Sequence, residues 1–76
     1  MTVDDLRLLK DNVGKHVRIF CTDGETIVAK IHVVSDEDQD VIYDIVSTTR
    51  PKRAAVHGGE PAYLVSFGEI ERVEPA

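Results

Sequence analysis

The sequence predicts a mainly β protein, in which a short N-terminal helix precedes five strands that bend into a small barrel. Two runs, 16–21 and 26–33, alternate between two sets of side chains of which one is more apolar, and Asp23-Gly24 lies between them. Alternation with period two is typical of strands, and Asp-Gly between two such runs is typical of a hairpin turn. Three shorter runs of strand-forming residues follow. A chain of 76 residues has room for one domain, so we expect residues 1–76 to form a single core.

The first predicted element is a helix over residues 2–12. Thr2 is a suitable N-cap, and Asp4 and Asp5 lie in the first turn, where the helix dipole favours negative charge. Gly14 is well placed to end the helix. One apolar stripe has i, i+3, i+7 spacing: Leu6, Leu9 and Val13. A helix this short is unstable alone, so we expect it to pack over one end of the barrel.

The residue parity of the first hairpin selects its loop. A two-residue loop, 23–24, would place the apolar faces of the two strands on opposite sides of the sheet. A three-residue loop, 22–24, pairs Ile19 with Ile27 and puts Gly24 in the left-handed region, which glycine adopts without strain. We therefore predict the three-residue loop. The predicted core combines the shared face of the hairpin with one residue of a later strand: Val17, Ile19, Cys21, Ile27, Ala29, Ile31 and Val65.

The later strands are predicted at Val41–Thr49, at Ala62–Phe67 and in a short final segment that buries Ile70 and Val73. Between the first two of these, residues 50–61 contain two prolines and Gly58-Gly59, which predicts a long surface loop.

Composition excludes several classes of protein. Cys21 is the only cysteine, so no internal disulfide forms, and a reducing compartment is expected. No apolar run approaches the roughly 20 residues of a membrane helix, and the acidic N-terminus does not resemble a signal peptide. We expect a cytoplasmic protein without membrane contact. The net charge of −5 argues against a general polyanion-binding surface.

No pattern of catalytic or metal-binding residues stands out. Cys21 has no marked base partner and is interpreted as a small buried hydrophobe. His16, His32 and His57 lack metal-ligand spacing. The segment 36–40 begins like a calcium loop, with Asp36, Asp38 and Asp40. The match to the calcium-loop pattern ends there, because Val41 stands where glycine is required and Ser47 stands where glutamate is required. We therefore predict no enzyme activity, no cofactor and no metal.

One basic cluster is present: Arg50, Lys52 and Arg53. It predicts either a contact to phosphate or an acidic partner, or a solvated loop that balances negative charge elsewhere.

The order of elements resembles the Sm-like (LSm/Hfq-type) version of the SH3-like small barrel. The residues that carry the resemblance are Val13-Gly14-Lys15 before the first strand, Asp23-Gly24 at the turn, and the closing Phe67, Ile70 and Val73. The C-terminal barrel of a ribosome maturation factor and a small Rho inhibitor are similar in the same way. The resemblance implies a five-stranded, strongly bent barrel. Its RNA-binding residues are largely absent here, because Asp36–Asp40 is acidic and Phe67-Gly68 lacks the basic residue.

The strand at 62–67 contains no charge and no proline after Pro61, so an exposed edge there would invite pairing with another chain. The predicted subunit-interface residues are Tyr63, Leu64, Val65 and Phe67. We expect a homo-oligomer, with the alternative that the 50–61 loop folds back and covers the edge.

The function predicted from sequence is a non-catalytic binding or assembly module that associates with itself. The alternative is a nucleic-acid-associated module, linked to RNA, the ribosome or transcription, that uses Arg50–Arg53. The acidic segment 36–40 disfavours that alternative, because carboxylates repel phosphate.

Overall fold

A computed structural model describes residues 1–49, 55–57 and 60–76. The elements in chain order are helix α1 (Val3–Asp11), strands β1 (His16–Cys21), β2 (Thr26–Ser35), β3 (Asp40–Thr48), β4 (Ala55–His57) and β5 (Glu60–Ser66), a 3-10 turn (Phe67–Glu69), and strand β6 (Ile70–Pro75). The prediction of a mainly β fold with one short N-terminal helix is confirmed. Among the described residues, no helix has both the length and the apolar character needed to span a membrane.

All strand pairs are antiparallel, and the strand order is β4-β5-β3-β2-β1-β6. The register shifts between Phe20 and Cys21, between Val28 and Ala29, and between Ile31 and Val33. Bulges of this kind bend a strand and increase its twist. They let one face of the sheet supply most of the core.

The β1–β2 hairpin has the predicted three-residue loop. Val17 pairs with Ala29 and Ile19 with Ile27. The loop is closed by a hydrogen bond of 2.8 Å from the Cys21 amide to the Glu25 carbonyl, and Gly24 has a φ of +91°. This backbone conformation explains why glycine occupies the last loop position.

The predicted core is confirmed: each of its seven residues is no more than 5 % exposed. Ile70 and Val73, predicted as the buried positions of the last strand, are 1 % and 7 % exposed. The remaining buried apolar residues come from the helix and from β3: Leu9, Val41 and Tyr43.

Helix α1 packs against this core through Leu9, which is fully buried, and Leu8, which is partly buried. Thr2 and Asp5 form a capping box, which confirms Thr2 as the N-cap. The expected burial of Val13 is wrong, because its side chain is 48 % exposed. The helix ends at Asp11, and Gly14 has a φ of +83°, so Val13 no longer follows the helical stripe.

Simple alternation places Val33 with the buried residues of β2, but the structure places it outside. The register shift between Ile31 and Val33 reverses the parity of the strand. Val33 is therefore 48 % exposed, whereas Val34 packs against the core.

Strand β4 lies within residues 50–61, the segment predicted as a loop. Ala55 pairs with Ala62 and His57 with Glu60, so β4 covers the first three residues of β5. The alternative to self-association was that the 50–61 loop covers the edge of this strand. Within the described residues, only Ala55–His57 do so.

Candidate interaction surfaces

The predicted interface residues of β5 and the adjoining turn differ in what their side chains contact. Val65 is fully buried in the core. Tyr63 and Phe67 pack against the core, and the Tyr63 ring stacks on Tyr43 with 5.8 Å between centroids. Leu64 points outward and is 44 % exposed. Of the four side chains, Leu64 offers the most surface to another molecule.

The backbone of β5 presents an edge that the described strands leave partly uncovered. β3 lies on one side of the strand, and β4 lies on the other side over residues 60–62. The Phe67 amide donates to the Gln39 carbonyl (2.8 Å), in register with the β3–β5 pairs. Because amides alternate in direction along an antiparallel strand, the amides of Leu64 and Ser66 point away from β3. No described strand pairs with this part of the edge.

Strand β6 forms the opposite end of the sheet. It pairs with β1, and within residues 1–49, 55–57 and 60–76 no strand pairs with its other side. Asp5 ties this strand to the helix, because its Oδ1 accepts a hydrogen bond of 3.0 Å from the Val73 amide. Burial of Asp5 opposes its charged form, but the hydrogen bonds from Thr2 and Val73 outweigh burial and lower its pKa.

The acidic segment between β2 and β3 forms a turn. Lys10 Nζ contacts Asp36 Oδ2 at 2.5 Å, and the Asp38 amide donates to Ser35 Oγ at 3.1 Å. Val41, the position at which a calcium loop needs glycine, is fully buried in the core. The turn therefore differs from a calcium loop in structure as well as in sequence.

Two rows of side chains cross the outer face of β2, β3 and β5 near this turn. The first, called the apolar row, consists of cross-strand neighbours in register: Val33, Ile42 and Leu64. The next cross-strand neighbours on the same face, toward the turn, are Ser35, Asp40 and Ser66. Ser35 Oγ lies 3.4 Å from Asp38 Oδ2, and Ser66 Oγ donates to Glu69 Oε1 at 2.8 Å. We call the three carboxylates along this second line the acidic row: Asp38, Asp40 and Glu69.

Three potential metal ligands lie close together at the turn between β1 and β2. Ligand atoms of Cys21, Asp23 and Glu25 lie within 4.8 Å of one another. Glu25 is 1 % exposed, and Thr48 Oγ1 donates a hydrogen bond to its Oε2. Sequence reasoning missed Glu25, although it shares residue parity with Ile27 and therefore the inward face. Among the described residues, this is the group that could hold a metal ion.

His16 and His32 do not join that group. His32 Nε2 lies 2.7 Å from Asp44 Oδ2 on the outer face, and His16 is exposed opposite Lys30 on β2. The predicted contact residues Arg50, Lys52 and Arg53 lie outside the described residues.

Comparison with known proteins finds no family model that matches the chain and no curated protein that is similar to it in sequence.

Proposed function

We propose that this chain is a non-catalytic assembly module of the Sm-like small-barrel type, which associates with copies of itself through the edges of its sheet. The observation that carries the proposal is the β5 edge at Leu64 and Ser66, whose amides point away from β3 toward a side that no described strand covers. An edge of this kind is a template for pairing with another strand.

The second edge completes the proposed arrangement. The outward Val73 amide of β6 is already bonded to Asp5 of the helix, so β5 of one copy would pair with the rest of the β6 edge of the next. Each contact then joins two different surfaces of the protein. Repetition of such a contact generates a closed ring when the rotation between copies closes. The exposed side chain of Leu64 lies at this edge, and pairing would remove part of its apolar surface from water. Cys21 is the single cysteine of the sequence, so the chain forms no internal disulfide, and this composition supports action in a reducing, cytoplasmic compartment.

Sedimentation velocity over a micromolar dilution series tests the proposal. We expect wild-type masses at multiples of 8.4 kDa. Leu64→Lys places a charge on the edge and should shift the distribution toward the single chain. Val46→Lys is the matched control, because Val46 is also an exposed apolar side chain (58 %) but lies on β3. A wild-type mass of one chain at every concentration would contradict the proposal.

A further inference from the structure

The apolar row and the acidic row lie side by side on the outer face of the sheet. Ile42 and Asp40 are separated by one residue on β3, and Leu64 and Ser66 by one residue on β5, so each pair points to the same face. Val33 joins them because the register shift in β2 turns it outward. Three strands therefore contribute to one surface that is apolar along one line and negatively charged along the next.

The side chains of the apolar row are partly exposed to solvent. Val33 is 48 % and Leu64 is 44 % exposed, and Ile42 between them is half-buried. Neighbouring strands lie about 4.8 Å apart, so the row spans about 10 Å across three strands. Two or three apolar side chains of another molecule would cover it.

The charge beside this row is uncompensated within the described residues. Asp36 has an ion pair with Lys10, whereas no Lys or Arg side chain of the described segments pairs with Asp38, Asp40 or Glu69. The whole chain carries a net charge of −5. Carboxylates next to an apolar surface repel phosphate and attract Lys and Arg.

We propose that the two rows form a docking surface for a cationic segment of a partner protein. The segment places two or three adjacent apolar side chains on Val33, Ile42 and Leu64, and its Lys or Arg side chains face the acidic row. The complementary charge speeds encounter and sets the orientation of the segment, while contact with the apolar row selects for its apolar residues. The surface shares one residue, Leu64, with the proposed β5 edge. Strand pairing uses the backbone amides of Leu64 and Ser66, whereas docking uses side chains on the outer face of the sheet, so Val33 and Ile42 belong to the docking surface alone.

A fluorescein-labelled synthetic peptide with three adjacent apolar residues between cations, Lys-Arg-Val-Leu-Val-Lys-Arg, serves as the probe in a polarisation titration at low and at physiological salt. We expect saturable binding that weakens as salt rises. A second peptide with serine in place of every apolar residue keeps the charge and should bind at least about tenfold more weakly, because burial of one side chain contributes more than the 1.4 kcal/mol of a tenfold change.

Matched variants locate the binding. The double variant Asp40→Asn/Glu69→Gln should weaken binding about threefold to tenfold, as expected for two exposed ion pairs. The double variant Asp4→Asn/Glu71→Gln, which changes two exposed carboxylates outside both rows, should leave it unchanged. Val33→Ser should weaken binding and Val46→Ser should not. A thermal melt of each variant confirms that it is folded.

Three results would overturn the inference: no binding of the apolar peptide at millimolar concentration, equal binding of the serine peptide, or equal effects of both double variants. Sedimentation of the same samples separates this inference from the proposed function. If the protein stays at 8.4 kDa and binds the peptide, self-association alone is refuted. If the protein forms an oligomer and does not bind the peptide, the docking surface alone is refuted.

Discussion

Replacement of Ile19 by alanine should remove a large share of the stability of this fold. Ile19 is fully buried, and it lies between Ile27 on β2 and Val73 on β6. Truncation of a buried isoleucine to alanine costs about 2–5 kcal/mol, because transfer energy is lost and a cavity remains. Native domains have about 5–15 kcal/mol in total, and a chain of this size lies near the lower end of that range.

Urea unfolding and thermal melting, both followed by circular dichroism, measure this change. For a domain of this length, each kcal/mol lowers Tm by about 4–8 °C, so Ile19→Ala should melt at least about 8 °C below wild type. Ile19→Val should cost about 0.5–1.5 kcal/mol, which gives a graded series. Val46→Ala is the matched control, since Val46 is 58 % exposed and should change stability by no more than about 0.5 kcal/mol. An Ile19→Ala variant as stable as this control would refute the assigned inward face of β1.

Two further substitutions test local features of the fold. Gly24→Ala should cost about 1–2 kcal/mol in urea unfolding, because Gly24 has a φ of +91°. Gly68→Ala, which meets no atom within 4 Å, should cost less than half as much. The pKa of Asp5 is lowered from its ordinary value of 3.8, so the stability it contributes is complete above that pH and is lost as pH falls below it. Asp5→Asn should therefore destabilise the protein at pH 6 and make urea stability less dependent on pH below 4; an unchanged pH profile would contradict the assigned hydrogen bonds.

The first hairpin could be predicted because its loop length and its apolar pattern constrain each other. One register alone puts Ile19 opposite Ile27 with both side chains inward, and Gly24 permits the loop that this register needs. The N-cap at Thr2 could also be predicted from the sequence. Thr2 and Asp5 have the spacing of a capping box, and they form that box in the structure.

The failures arise where backbone geometry breaks a periodic pattern. Val33 points outward because of a bulge, and bulges leave no reliable mark in a run of β-branched residues. Val13 lies beyond the last helical turn, where periodicity ceases to apply. A strand of three residues, such as β4, is too short to show alternation.

The candidate surfaces depend on which strands become neighbours, and a single sequence does not give that information. Val33, Ile42 and Leu64 are well separated along the chain, and the register of β2, β3 and β5 alone places them in a row. The acidic turn was visible as a charged segment, but the position of Glu69 beside it required the Ser66–Glu69 hydrogen bond.

Amide hydrogen exchange at Leu64 and Ser66 tests the central claim, self-association through the β5 edge, most directly. These two amides point away from β3, and no strand within the described part of the same chain pairs with them. Pairing with another copy would bury them in hydrogen bonds and slow their exchange with solvent. We predict that their exchange slows by at least about tenfold as protein concentration rises through the association range, while the Val65 amide, which faces β3, exchanges at a constant rate. Fast exchange of both amides at every concentration would contradict the account.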